Sequence, residues 1–194
     1  ILGGRIGYII FYNFFYYFDN PADIFKIWEG GMSFHGALIG VIIGTYFFSK
    51  KININPFFFL DIIASVAPIG IFFGRIANFI NSELYGKPSN FFLSVIFPKI
   101  DMIPRHPSQL YEAVLEGIIL FSILITVILK KNIKIGMCSS LFMILYGIFR
   151  ILAEQFREPD AQIGNLFSLF SMGSVLSLTM IVSGVFIFMK IKKL

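Results

Sequence analysis

The chain has 194 residues, 57% of them hydrophobic and only 14% charged, and its mean hydropathy of +0.81 excludes an ordinary water-soluble domain of this size. Its formal net charge of +5 comes from lysines clustered between apolar runs rather than spread along one face, which excludes a nucleic-acid groove and points to membrane anchoring. Cys138 is the only cysteine, so an intrachain disulfide and a cysteine metal cluster are excluded as well.

About 20 mainly apolar residues cross the roughly 30 Å hydrocarbon core of a bilayer. Six stretches come close to that length, at 2–18, 33–49, 57–80, 108–129, 136–157 and 166–189. The sequence therefore predicts an all-α, polytopic transmembrane bundle of about six spans, forming one domain over 1–194. The first stretch is short and Gly-rich. It starts at Ile1 without a methionine, a charged n-region or a small-residue cleavage site, so the chain is expected to be a piece whose first span precedes it.

The second stretch opens with GGMSFHGALIG at 30–40, where His35 stands among glycines at 30, 31, 36 and 40. Those glycines permit close approach of another helix or of a lipid. A lone histidine is more often a hydrogen-bonded structural residue than a catalyst, and both readings stand for His35. In the third stretch Asp61 is isolated near the start, where capping of a helix N-terminus is its expected role. Further on, Arg75, Asn78 and Ser82 share one helical stripe by their i, i+3, i+7 spacing.

The longest connection, about 81–107, carries Pro88, Pro98, Pro104 and Pro107 and should form a small ordered cap. His106 lies in it and is expected to do no more than cap the next span. The fourth stretch begins with Gln109, Glu112 and Glu116 on one face. The fifth ends with Arg150, Glu154 and Arg157 at i, i+4, i+7.

The connections alternate in charge. Lys50 and Lys51, then Lys130, Lys131 and Lys134, then Lys190, Lys192 and Lys193 form acid-free clusters, which the positive-inside rule places in the cytoplasm with the C-terminus. The remaining gaps mix acids with bases and face outward. The buried-stripe arginines and carboxylates gather toward that outward side.

Ionisable groups inside a span cost at least about 2.5 to 3.5 kcal/mol each and usually face a cavity. One reading makes them interhelical glue, with Glu154 neutralising Arg150 or Arg157. The other is functional, because an arginine fork matches a phosphate and the outer leaflet supplies phosphodiester head groups. A transporter or scramblase could also use such groups. It would spread them through the membrane and show symmetry between halves, and neither pattern is present. A scaffold binding partner helices through its glycines would need no paired arginines.

GGRIGY (3–8), GGMSFHGALIG (30–40), GRIANFINSELYGKP (74–88), RHPSQLYEAVLEG (105–117) and FREPDAQIG (156–164) together resemble the bacterial prolipoprotein diacylglyceryl transferases, in the same order along nearly the whole chain. The resemblance implies a seven-span inner-membrane enzyme whose first span precedes Ile1. Its active site faces the periplasm. Such enzymes move the diacylglyceryl group of phosphatidylglycerol onto the lipobox cysteine of a prolipoprotein signal peptide, forming a thioether and releasing glycerol 1-phosphate. Carried over by motif, the lipid-binding arginine falls on Arg75, with polar partners at Asn78, Glu83 and Gly86. The second arginine and its acidic partner fall on Arg150 and Glu154, and the catalytic histidine on His35. No metal or redox cofactor is implied, and no nucleic-acid partner.

Overall fold

The computed structural model describes residues 1–158, 165–166 and 170–193, and the side chains of a few residues inside helices, His35 among them, lie outside that set. The protein is mostly helical and forms two compact units, Ile1–Phe59 and Leu60–Leu194.

In the first unit the apolar run at 2–18 is not one span. It breaks at Asn13 into α1 (Leu2–Tyr12) and α2 (Phe14–Asp19), because Asn13 leaves helical geometry at φ −145°, ψ 36°. Two short 3₁₀ turns follow, at Pro21–Phe25 and Ile27–Glu29, and α3 runs over Phe34–Lys51. Ser33 caps α3 by accepting from Gly36 N–H at 3.2 Å, and Lys50 and Lys51 occupy its last turn, where the helix dipole favours cations.

The glycines of these two helices face each other. A Cβ on Gly7 would lie 2.6 Å from Gly36 Cα, and one on Gly40 would lie 3.1 Å from Gly3 Cα. Two small-residue pairs at i, i+4 spacing thus let the backbones of α1 and α3 touch, one of the two possibilities the sequence left open.

Arg5 organises the loop between α2 and α3. Its five N–H donors meet five backbone carbonyls: Nε to Ile24 (2.9 Å), Nη1 to Gly30 (2.6 Å) and Gly31 (3.2 Å), Nη2 to Asp23 (2.6 Å) and Lys26 (3.1 Å). The Tyr17 ring centroid lies 5.1 Å from the guanidinium carbon. With Arg5 only 5% exposed, this is a charge sealed by carbonyl dipoles.

The second unit holds most of α4 (Pro56–Asn81), the continuous helix Ser108–Ile128, α7 (Met137–Glu154) and α8 (Met172–Lys193). The Ser108–Ile128 helix comprises α5 (Ser108–Glu112), a π-helical stretch Ala113–Ile119, and α6 (Leu120–Ile128). Three helices, Pro56–Asn81, Ser108–Ile128 and Met137–Glu154, are long and apolar enough to cross a membrane, and Ser177–Ile191 is a shorter apolar helix. Their core forms around Leu120, Leu124, Cys138 and Tyr146.

Two boundaries differ from expectation. α7 stops at Glu154, three residues early, because Arg157 pairs in a β-bridge with Gly86, so Arg157 does not share the helix face of Arg150 and Glu154. α8 begins six residues late because the short strands β3 (Asn165–Leu166) and β4 (Phe170–Ser171) pair before it.

Asp61 caps a helix as expected, though not its own. Its Oδ2 accepts from Gly136 N–H at 2.6 Å, and its Oδ1 accepts from Ser139 N–H (2.7 Å) and Oγ–H (2.6 Å) at the N-terminus of α7. On the other face of α7, a Cβ on Gly147 would lie 2.6 Å from Ile181 Cγ1 and one on Gly184 would lie 2.9 Å from Ser140 O, so α7 and α8 also pack through glycines.

Replacing Arg5 by Ala should leave five carbonyls without their donor and destabilise the 20–31 loop by about 3 kcal/mol. Limited proteolysis of protein in detergent should then cut within 20–31, with Lys at position 5 restoring only part of the protection because an ammonium has three donors.

Candidate functional site

Three helices of the second unit bring charge to one locus. Arg75 comes from the last third of α4, Glu112 and Glu116 from the π-helical region, and Arg150 and Glu154 from the last turn and a half of α7. A close helix contact makes the meeting possible: a Cβ on Gly117 would lie 2.7 Å from Phe72 Cβ, one turn before Arg75.

Glu112 is the centre of the cluster. Its Oε2 lies 2.8 Å from Arg75 Nε, while its Oε1 accepts a short hydrogen bond from Arg150 Nη1. Glu116 Oε2 accepts from Arg75 Nη2 at 3.2 Å, and its Oε1 lies 3.8 Å from Arg150 Nη1. Glu154 Oε2 stands 2.8 Å from Arg150 Nη2. The side chains of Glu112 and Glu116 are 1% and 0% exposed, whereas Arg75, Arg150 and Glu154 are 16%, 10% and 13% exposed. Two guanidiniums thus face three carboxylates, an excess of one negative charge if all are ionised.

The partly open rim belongs to Arg75, Arg150 and Glu154. The first turn of α8 comes up to it, since a Cβ on Gly173 would lie 3.4 Å from Glu154 Oε2 and 3.6 Å from Arg150 Nη2. Among the described residues, Arg75 Nη1 and Arg150 Nε have no partner, so each arginine keeps a donor for a further anion.

The other residues expected in the site are placed differently. Asn78 lies one turn beyond Arg75 and is partly exposed, and its carbonyl accepts from Glu83 N–H at 2.8 Å. The chain then turns sharply through Ser82 (φ 62°) and Leu84 (φ 53°), two non-glycine residues in the left-handed region. Gln109 Nε2 donates to Glu83 O at 2.6 Å and Ser108 Oγ to Leu84 O at 3.0 Å, holding that turn while the Glu83 side chain stays exposed. Gly86 sits at a backbone junction. Its N–H donates to His106 O at 3.0 Å, and a Cβ there would collide with that carbonyl and lie 2.7 Å from Phe156 O. A side chain is excluded at Gly86 by packing alone.

The cap is ordered, as its prolines suggested. β1 (Val95–Ile96) pairs with β2 (Pro104–Arg105), and Lys87 N–H donates to Phe156 O at 2.9 Å, tying the cap to the end of α7. Arg105 packs over the Tyr85 ring and pairs with Asp101 at 2.7 Å and Glu158 at 3.3 Å. His106 does more than cap a helix: its Nδ1 lies 3.2 Å from Tyr111 Oη within a cluster of the Phe91, Tyr111 and Phe156 rings. Those rings and Val114, Leu115, Leu152 and Ala153 line an apolar cavity of about 410 Å³.

His35 lies in the first turn of α3, in the other unit, and its side chain is outside the described residues, as are Asp160 and the rest of 159–164. Glu112 and Glu116 are the two residues that sequence reasoning noticed as a stripe and did not carry into the site. Their signal was the i, i+4 spacing of two acids within an apolar run.

A sequence profile of the prolipoprotein diacylglyceryl transferases matches residues 1–190. Among curated relatives, the phosphatidylglycerol–prolipoprotein diacylglyceryl transferase of Rickettsia bellii (strain OSU 85-389) is 53% identical over 192 residues, 98% of this chain and 73% of the relative. The enzymes of the same name from Rickettsia typhi and Rickettsia felis are 52% and 53% identical over 186 residues, each covering 95% of this chain and 72% of the relative.

The cap should loosen in acid. Hydrogen bonds from Arg105, with burial opposing and the Ile103 N–H assisting, hold the Asp101 carboxyl below the ordinary carboxylate range. A depressed folded pKa means that the stabilisation is present above the unfolded value of about 3.9 and is lost as pH falls through the folded value. Protection factors across 87–105, which divide out the chemical slowing of exchange in acid, should therefore fall below about pH 4, and Asp101→Asn should show low protection at neutral pH and lose most of that dependence.

Proposed function

The chain belongs to the prolipoprotein diacylglyceryl transferase family, and on that premise we propose that it moves the diacylglyceryl group of phosphatidylglycerol onto a prolipoprotein at the Arg75–Arg150 site. The carrying observation is the pair of guanidiniums brought from α4 and α7 to one carboxylate, each with a donor to spare. A phosphodiester offers two non-bridging oxygens, and a spare guanidinium donor from each arginine can reach them by charge-assisted hydrogen bonds.

The reaction on this reading is a substitution at carbon. The lipobox cysteine sulfur attacks the glycerol carbon that bears the phosphate, the C–O bond breaks, and glycerol 1-phosphate leaves as the thioether forms. Negative charge grows on the leaving phosphate, so donors aimed at it act more strongly in the transition state than in the ground state. The cluster already carries excess negative charge, so an incoming phosphate must displace a carboxylate. Glu154 is the candidate, being the most exposed of the three acids and paired with Arg150 alone. The thiol, with an ordinary pKa near 8.5, needs a base or a positive field to give thiolate. Neutral His35 takes that proton in this reading, a role that rests on the motif around it. Asn78, one turn beyond Arg75, and Glu83 would hydrogen-bond the head group, roles that rest on the motif.

The topology follows from the same premises. One membrane domain with six apolar stretches would sit in the bacterial inner membrane, its lysine clusters and C-terminus cytoplasmic. The cluster, the cap and the loop held by Arg5 would then lie on the periplasmic side, where the signal peptide and the lipid arrive. The bilayer itself delivers phosphatidylglycerol.

The test is transfer of labelled diacylglycerol from phosphatidylglycerol vesicles to a lipobox peptide by the reconstituted protein. Arg75→Ala should lower turnover by about 100-fold or more while the amount of folded, inserted protein stays near wild type. Transfer that survives Arg75→Ala would remove the phosphate from this site. His35→Gln should likewise abolish transfer at neutral pH, with partial recovery above about pH 8.5, where the free thiol ionises unaided.

A further inference from the structure

We infer that Glu112 is a positioning residue that fixes the spacing of the two phosphate-binding guanidiniums, an inference that rests on the phosphate reading above. Arg75 and Arg150 stand on different helices, and among the described residues Glu112 is the side chain that approaches both most closely, as an ion pair to Arg75 Nε at 2.8 Å through Oε2 and as acceptor of a hydrogen bond from Arg150 Nη1 through Oε1. Glu116 is as deeply buried but holds only Arg75 at that range, its distance to Arg150 being 3.8 Å.

Three features suit Glu112 to this work. Its side chain is 1% exposed, so water does not compete for its oxygens. It stands at the entry to the π-helical stretch Ala113–Ile119, a local widening of the helix that occurs most often at functional sites. Its own helix is pinned to α4 by the Gly117–Phe72 contact and to the cap by Gln109 and Ser108. A carboxylate so placed holds both forks at a fixed separation before the lipid arrives, so that the donors at Arg75 Nη1 and Arg150 Nε keep their spacing while the phosphate takes the place of Glu154. Catalysis by pre-organised donors depends steeply on that geometry, with misplacement near 1 Å costing about 100-fold.

Glu116 supplies the control, because a Gln there has the same burial on the same helix but gives up only the longer link between the two arginines, 3.2 Å to Arg75 and 3.8 Å to Arg150. In the vesicle assay Glu112→Gln should lower kcat per folded molecule by about 100-fold, and Glu116→Gln by less than about tenfold, with KM for phosphatidylglycerol changing little in either. The double variant Glu112→Gln/Arg150→Lys should be no worse than the poorer single variant, because the arginine is already out of place once the bridge is gone. Equal losses for Glu112→Gln and Glu116→Gln, or a loss of folded protein with normal kcat per folded molecule, would overturn the inference. If transfer survives Arg75→Ala and Arg150→Ala, the phosphate reading fails instead. Loss in those two with full activity in Glu112→Gln overturns the positioning role and leaves the phosphate site standing.

Discussion

Charge inside an apolar helical unit must be neutralised within that unit, and Glu112 is where this chain meets the requirement. Removing one member of such a cluster leaves its partner buried and unpaired, which costs far more than the pair itself contributes. That asymmetry explains why the surrounding structure bends toward the cluster. α4 approaches at Gly117, the helix from Ser108 widens into a π stretch, α7 ends just past Glu154, and α8 starts with Gly173 against the same carboxylate. Each feature is unremarkable alone. Together they bring five ionisable groups from three helices within contact.

The first unit solves the same problem with different chemistry. Arg5 has no carboxylate among its hydrogen-bond partners, and carbonyl dipoles of the 23–31 segment take its five donors instead. With its five donors engaged by carbonyls, Arg5 ties this loop together. Arg75 and Arg150, each with a donor unspent, differ from it in that one respect, and on this contrast a buried arginine can be sorted as scaffold or as site.

Much of this was legible in the sequence. Arginines and glutamates stand out in apolar runs because insertion penalises them, so Arg75, Arg150 and Glu154 were visible at once, as was the shared stripe of Glu112 and Glu116. Their pairing was not visible, since it depends on how far α4 and α7 slide against the helix between them. The GxxxG patterns at 3–7 and 36–40 announced a close contact but not its partner. Asn13 interrupts a continuous aromatic run, and nothing in FYNFFYYF marks the break. Arg5 gathers partners 18 to 26 residues away, a range at which spacing carries no information. The π stretch has no sequence signature, and the end of α7 was misjudged because the strand-like pairing of Gly86 with Arg157 is a tertiary event.

Asp61 and Glu154 complete the argument, as two acids near opposite ends of the same helix. Both oxygens of Asp61 are spent on well-aligned donors from Gly136 and Ser139, and a carboxylate so satisfied has nothing left to exchange. Glu154 Oε2 lies near Arg150 and Glu112 Oε2 near Arg75, yet neither is aligned for a hydrogen bond, and the buried Oε1 of Glu116 likewise accepts none. Buried acceptors are normally satisfied, and those left short concentrate where a structure has another use for them. Among the described residues, the buried carboxylate oxygens without a hydrogen bond all fall at the arginine cluster. The end of α7 held by Asp61 is therefore a fixed joint, and the end bearing Glu154 is held by an ion pair without an aligned hydrogen bond, which is what the proposed exchange with a phosphate requires.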